Sequence, residues 1–358
     1  MPEIAIINDT HLGVRNDNQN MYDYTEAFFR DVFFPTLRVR NIKTVVHLGD
    51  VVDRRKYVNF LTARKLHDIL MRPLLEGGYD SHFILGNHDV FYKDTNEINC
   101  MTELYGSSSY LGKNLHFYVD PTTVELEGTK VVMIPWICSS NINQTFREVQ
   151  GTEAQIAMGH LELNGFEMDR GHIQDHGMAK DIFDRFDVVA SGHYHHKSSI
   201  GNIHYLGAQL QFTWADYDDD KGFHILDTDK RSLEFVKNPY EIFKKFIYDD
   251  QGKTREDILN FDETKYAKTY VKVIVKNKTD PYLFDQVIAK IEGVGVANLQ
   301  SVEDHLNLDM IDDEDLVDEA QDTLTLLKKF VAAVDTGVDK KKVEKFVTDL
   351  YAEALTVE

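Results

Sequence analysis

Cysteine is scarce, cations are outnumbered and long hydrophobic runs are missing, and each shortage removes a class of protein. Two cysteines, Cys100 and Cys138, stand among 358 residues, too few for a disulfide framework and without the paired spacing of a zinc site. Both are expected to be buried thiols, and redox chemistry is not expected. No stretch reaches the roughly 18 apolar residues that a membrane span requires, and "MPEIAIINDTHLG" lacks the basic start and small-residue cleavage site of a secretory leader. The expectation is a chain that stays in the cytoplasm, with no membrane partner. Lys and Arg number 39 against 60 Asp and Glu, a net charge of −21, which at face value argues against a phosphate-rich partner. The argument has short reach, because charges beyond a Debye length of roughly 8 Å are screened and the local balance at a site decides. Internal repeats and low-complexity tracts are also missing.

What is present is enough apolar residue for one large domain and a smaller one. Up to about residue 240, short β-branched runs alternate with amphipathic stretches. The runs include "EIAIIND", "KTVVHLGDVV", "SHFILGNHD", "AQIAMGH" and "FDVVASGHY", and the stretches include "YTEAFFRDVFFPTLRVR" and "FLTARKLHDILMRPLLEGG". This alternation predicts an α/β fold over residues 1–238, in which strand C-termini run into polar loops where ligands gather. From 239 to 302, "YVKVIVKNKTDPYLFDQVIAKIEGVGVANLQSV" reads as strand, helix, strand, a small α+β domain. Residues 303–322 carry ten acids and no Lys or Arg and read as a solvated linker. "ADYDDDKG", with acids at Asp216, Asp218, Asp219 and Asp220, reads as another solvated loop. Over 323–358 two helical patterns follow, one with Leu324, Leu327, Val331 and Val334 on a face, the other with Val343, Phe346, Val347 and Leu350.

Five predicted strand ends finish in metal-ligand residue types. They are "NDTHLG" (Asp9, His11), "GDVVD" (Asp50), "GNHD" (Asn87, His88), "MGHLE" (His160) and "SGHYHH" (His193, His195). Asp9 and His11 are two apart, as are His193 and His195, so on a strand each pair shares a face and would grip one ion together. Imidazoles mixed with hard oxygen donors suit a borderline divalent ion better than an all-oxygen calcium site. Any one such motif is more often a capped strand end. Five in sequence, each after an apolar run, would need five coincidences.

In order and spacing these motifs closely resemble the calcineurin-like metallophosphoesterases over roughly residues 4–226. Within that superfamily, "NDTHLG", "IPW", "HLELNG", "SGHYH", "YLG" and "KGF" resemble the nuclease subunit of the SbcCD type, and "GDVVDRRK" with "GNHDVFYK" resembles its T-even-phage branch. The resemblance implies a β-sandwich flanked by helices, a DNA-recognition cap over 239–302 and a helical tail that docks on a coiled-coil ATPase partner. It also implies DNA as substrate and a homodimer within a heterotetramer, in the host-cell cytoplasm if the chain is phage-encoded. Two divalent ions are implied, Mn²⁺ first, with Mg²⁺ or Fe²⁺ as alternatives. Asp9, His11, Asp50 and His195 would hold one; Asp50, Asn87, His160 and His193 the other. Asp50 would bridge them through its two oxygens, and His88 would face the scissile phosphate.

At one position the chain departs from that pattern. Three residues after the bridging acid, cellular relatives carry a His associated with exonuclease action, and here Asp53 stands. The expectation is that Asp53 orients Arg54, which with Arg55 and Lys56 would hold DNA phosphate, against the alternative of a loop of self-paired surface charges. His47, His67, His82 and His196 fall outside the pattern and read as surface or packing residues, and Trp136 as packing. Two other functions compete with a nuclease. A phosphoprotein or cyclic-nucleotide phosphatase would carry "DxHG" and "GNHE" where this chain has "DTHLG" and "GNHD", and a non-catalytic scaffold would have lost ligands.

Overall fold

The computed structural model of the chain describes residues 2–107, 114–169, 172–173 and 177–303, and Val343 beyond them. The expected linker and both expected tail helices lie outside the described residues, Glu303, which ends the last strand, and Val343 apart. Met1–Ser301 forms one compact unit and Val302–Glu358 a second. Among the described residues no helix is long and apolar enough to cross a membrane.

In chain order the strands are β1 (Glu3–Ile7), β2 (Thr44–His47), β3 (Asp80–Ile84), β4 (Leu115–Tyr118), β5 (Thr122–Leu126) and β6 (Thr129–Ile134). Next come β7 (Ile156–His160), β8 (Glu167–Asp169), β9 (His172–Ile173), β10 (Val188–Gly192), β11 (Ser198–Ile200) and β12 (Ile203–Tyr205). The last five are β13 (Gly222–Asp227), β14 (Ser232–Lys237), β15 (Phe243–Asp249), β16 (Tyr270–Asn277) and β17 (Asn298–Glu303). Two six-stranded sheets result, ordered β14-β13-β1-β2-β3-β4 and β11-β12-β10-β7-β6-β5. The inner strands are parallel: β1 with β2, β2 with β3, β6 with β7, and β7 with β10. Antiparallel pairs close one margin of the first sheet, β13 on β1 and β14 on β13, and both margins of the second, β11 on β12 and β5 on β6, whereas β4 closes the other margin of the first sheet in parallel with β3.

Strand periodicity explains the layering. In β1, Ile4 and Ile6 turn inward to a core shared with Val131, Met133, Ile156 and Met158 of the other sheet, while Ala5 and Ile7 turn to the helical side. Both faces of the inner strands are buried, which is why they read as continuous apolar runs rather than alternations. The helical side holds the two long amphipathic segments expected from sequence, Gln19–Arg40 and Phe60–Glu76. Each carries a proline in mid-course, Pro35 and Pro73, and each widens into a π-helical turn just before it, Phe29–Phe33 and His67–Met71. That turn absorbs the hydrogen bond the proline nitrogen lacks.

The expected strand, helix and strand of the smaller α+β region are present as β16, the helix Pro281–Glu292 and β17, with β15 added in a sheet ordered β15-β16-β17. Asp280 caps the helix by accepting from Tyr282 N and Leu283 N, with Pro281 at its first turn. Leu283, Val287 and Ile291, each four apart, pack with Val271, Val273, Val275 and Tyr248 in a core of their own. Cys100 and Cys138 are free thiols.

Candidate metal centre

The C-terminal ends of β1, β2 and β3 in one sheet and of β7 and β10 in the other converge, and the five motifs meet there. Apart from His160, the last residue of β7, they meet on loops, not on strands. β1 ends at Ile7 and β10 at Gly192, so Asp9, His11, His193 and His195 lie beyond the region where two-residue spacing puts side chains on one face. Asp9, His11, Asp50 and His193 adopt left-handed backbone, with φ of 50, 41, 54 and 90°. Each such residue costs on the order of 1 kcal/mol or more and persists only where its surroundings fix it. The fixing is visible in hydrogen bonds running on past the strands: Asp9 N to Gly49 O at 3.0 Å, His11 N to Asp50 O at 3.1 Å and Leu12 N to Val51 O at 3.0 Å. Glycine is required where the loops touch. A Cβ on Gly49 would stand 2.5 Å from Gly86 N, and one on Gly86 would stand 2.1 Å from Asp50 Oδ1.

The side chains fall into two groups whose donor atoms lie within coordinating reach: Asp9, His11 and His195, and Asp50, His160 and His193. The expectation that each two-apart pair holds one ion therefore fails for His193 and His195, which fall in different groups because the turn at His193 sends them apart. Asn87 joins the second group, its Oδ1 standing 3.0 Å from both His160 Nε2 and His193 Nδ1. His11 Nε2 and His195 Nε2 are 3.1 Å apart. Asp50 lies between the groups, with Oδ2 3.6 Å from His11 Nε2 and 3.4 Å from His160 Nε2. Its Oδ1 accepts from His88 N at 2.8 Å, so one oxygen, rather than two, faces both groups.

These donors fit divalent cations. Ligands about 2.1 Å from an ion at right-angled positions stand about 3 Å from each other, the spacing found at Asn87, His160 and His193 and at His11 and His195. The imidazoles are aimed from behind, as metal-binding histidines are: His160 Nδ1 donates to Leu48 O at 2.7 Å. Electrostatics agree. Burial alone would raise Asp50, but the His160, His88 and His11 imidazoles hold it well below the usual carboxylate range. Burial dominates for Asp9, which is raised, the neighbouring Asp50 charge adding to it. Burial would lower His11 and His160, yet the carboxylates of Asp53, Asp50 and Asp9 carry His11 up to about 9, and Asp50 and Asp9 do the same for His160. The other two imidazoles go the opposite way, burial first of all lowering His193 to about 3 and His195 well below its ordinary range, so positive charge is favoured only on His11 and His160, beside the carboxylates.

His88 stands beside the first group, its ring centroid 4.9 Å from that of His11. Its Nδ1 donates to the Asp53 carbonyl, which leaves Nε2 for other work. Asp53 itself departs from expectation. Its Oδ1 lies 3.4 Å from His11 Nδ1, whereas Arg54 turns away to Asp17 at 2.8 Å and to Asn16, with its guanidinium over the Tyr57 ring. The guanidinium, largely buried, is already held by these partners, which leaves Asp53 to face the buried imidazole. Arg55 reaches back toward Val90 O at 3.4 Å, and Lys56 is exposed.

The family model for calcineurin-like phosphoesterase matches residues 2–197, the stretch that carries every one of these ligands. The chain belongs to the calcineurin-like phosphoesterase family. It is 29% identical to "Exonuclease subunit 1" of Enterobacteria phage T4 across 98% of this chain and 99% of that one. It is 23% identical to a nuclease subunit of the SbcCD type from Staphylococcus saprophyticus across 96% and 97% of the two chains. The Staphylococcus epidermidis protein of the same name is 24% identical across 63% of this chain and 66% of its own.

Sequence reading passed over the parts of this phosphoesterase that hold the ligands still. Asp89, the last letter of "GNHD", is buried and accepts from Asp50 N at 2.8 Å, Val51 N at 2.9 Å and Gly86 N at 2.8 Å. It clamps the Asp50 loop onto the Asn87 loop. Burial and the Asp50 charge raise its carboxyl to about 6. Lys221, in "KGF", is buried and donates to His195 O at 2.7 Å, and its ammonium pairs with Asp216 at 2.5 Å and Asp219 at 2.9 Å. Two acids of "ADYDDDKG" are therefore buried partners rather than a solvated loop, because an ammonium taken out of water needs them. Trp136 packs against the ligand rings, 5.4 Å from His193. His47 is also a packing residue, with Thr10 Oγ1 on one nitrogen and Gly49 N on the other.

Proposed function

We propose that this phosphoesterase is a DNA nuclease subunit, cutting phosphodiester bonds with two divalent ions and acting with an SbcC-like coiled-coil ATPase. The observation that carries the reading is Asp50 Oδ2, set between His11 Nε2 and His160 Nε2 at 3.6 and 3.4 Å, where one carboxylate serves two cations. Asp9, His11, Asp50 and His195 hold one ion, and Asp50, Asn87, His160 and His193 the other. When bound, such a pair supplies a water acidic enough to attack at neutral pH and neutralises charge on the phosphoryl oxygens. Mn²⁺ suits the mixed imidazole and oxygen donors.

The chain's own residues do the rest. His88, anchored through Nδ1, presents Nε2 to the leaving oxygen as proton donor. Lys56 and Arg55 lie along the DNA backbone. Arg54, whose terminal nitrogens are engaged by Asp17 and Asn16, braces the loop instead. Two divalent cations, together +4 against the −2 of Asp9 and Asp50, would make the inner shell attractive to phosphate within an acidic chain. Residues 239–302 form the DNA-recognition cap, 303–322 the linker and 323–358 the ATPase-docking helices, with two copies of the chain in the assembly. The names of the phage and staphylococcal relatives, both subunits of nucleases, support this over a phosphatase. The test is to incubate the protein and Mn²⁺ with end-labelled DNA, a phosphopeptide and a cyclic nucleotide in parallel. Cleavage of DNA alone is expected. Hydrolysis of either small phosphoester with DNA left intact would replace the nuclease by a phosphatase.

A further inference from the structure

Away from the centre, at the margin of the first sheet, three ligand-type side chains meet on regular strands. β3 and β4 pair in parallel with His82 opposite His116. Asp80, two residues before His82, projects from the same face. Asp80 Oδ2 is 3.2 Å from His82 Nε2, and its Oδ1 is 2.9 Å from His116 Nε2. The two imidazoles stack with centroids 4.5 Å apart and planes inclined by 11°, so both Nε2 atoms point the same way, toward one spot beside the carboxylate. His82 is 4% exposed, and its Nε2 is a buried nitrogen with no hydrogen bond, the nearby carboxylate oxygen lying out of line. Its other nitrogen is fixed by Tyr118 OH at 2.7 Å.

We propose that Asp80, His82 and His116 form a second metal site, independent of the phosphoesterase centre, for one borderline divalent transition ion of the Zn²⁺ or Ni²⁺ kind. Two imidazoles and one carboxylate are a donor set such ions favour, with a fourth position left to water. Tyr118 plays the part of the outer partner that sets a ligand's tautomer: with the proton on Nδ1 facing the phenol oxygen, the Nε2 lone pair faces the ion. Burial lowers His82 below its ordinary range, so its ring is uncharged and ready to coordinate at neutral pH. The ion would fasten the outermost strand, β4, to β3 through side chains, at the one margin of this sheet where a parallel strand has a neighbour on a single side. A cation bound to the folded state and not to the unfolded one raises stability by mass action.

Zn²⁺ itself is the probe. Wild type, His116→Ala and Asp80→Asn, equilibrated with Zn²⁺ and freed of excess, would be compared for ions per chain by mass spectrometry. Thermal midpoints would be recorded with and without Zn²⁺. His116 and Asp80 are half exposed, at 46 and 47%, so neither change disturbs the core. Wild type should hold one ion more per chain than either variant and gain a higher midpoint with Zn²⁺ that the variants do not share, while nuclease turnover with Mn²⁺ stays the same in all three. Equal ion counts and equal midpoint shifts would overturn the site, whatever the substrate of the centre proves to be.

Discussion

The centre and the margin of the first sheet hold the same residue types in two different geometries. At the margin, Asp80, His82 and His116 sit on strands in register, and sheet regularity alone brings them together. At the centre, seven ligand-type side chains come from four loops and the last residue of β7, four of these residues in left-handed backbone, and hydrogen bonds between loops bring them together. Strand geometry delivers a pair of imidazoles with no strain but can supply few donors, all from one face. Loops past the strand ends supply donors from every side, at a cost that Asp89, Lys221 and the touching glycines must offset. Surrounding a divalent ion with donors from several sides needs the second solution.

Asp50→Ala tests that difference most severely. It removes the oxygen that faces both ligand groups and leaves in place the backbone N–H groups that Asp89 clamps, so turnover should vanish and both Mn²⁺ ions should leave, read by metal content. If the Asp50→Ala protein keeps two Mn²⁺ per chain, Asp50 does not bridge. Under Zn²⁺ the same variant should still retain the marginal ion. His88→Ala is next in size. Turnover should fall by about 10² to 10⁴, the usual range for a proton donor, with metal and DNA binding kept. Loss of metal would make His88 a ligand.

The sequence made the ligands legible because each motif follows an apolar run, because Asp50, Asn87, His160 and His193 directly follow a glycine, and because inner strands buried on both faces read as unbroken hydrophobic stretches. Spacing misled where it was read as strand alternation: His193 and His195 are separated by a left-handed turn that no periodicity announces. Asp89 and Lys221 were illegible for a different reason. Their work is done on backbone N–H and C=O groups of distant loops, and contacts between residues 26 to 39 positions apart leave no local pattern. The strand "LHFY" of β4 also escaped, being half exposed without a β-branched run, and with it the register that sets His116 against His82. Arg54 shows the converse. Neighbours in sequence suggested Asp53 as its partner, but a buried His11 nitrogen claims that acid.

Asp53→Ala should therefore act on metal rather than on DNA. Outer carboxylates behind ligating histidines are typically worth 10- to 100-fold in metal affinity. Titration of the variant with Mn²⁺ should show one of two ions weakened by about that factor, with the salt dependence of DNA binding unchanged. A lowered salt slope with normal Mn²⁺ affinity would return Asp53 to the role of organising the neighbouring cations.

The smallest expected effect concerns a histidine that no carboxylate faces. At the centre, Asp50, Asp53 and Asp9 carry buried His11 up to about 9. His224 on β13 is also buried, but Lys197 and His204 are the titratable groups beside it, and burial first, then their positive forms, push it down to about 3. The unfolded chain takes up a proton at His224 near pH 6.5, whereas the folded chain refuses it until about 3. Its contribution to stability is therefore whole above pH 6.5 and is lost as the pH falls between those values, at up to about 1.4 kcal/mol per pH unit. His224→Gln cannot titrate and removes that dependence. With EDTA present throughout, so that metal release does not enter and titration of the other groups is common to both proteins, urea unfolding at pH 7 and pH 5 should show wild type losing about 1 to 2 kcal/mol more than the variant. Equal losses would mean that His224 finds an acceptor for its proton in the folded protein, and that burial without a carboxylate is not what separates it from His11.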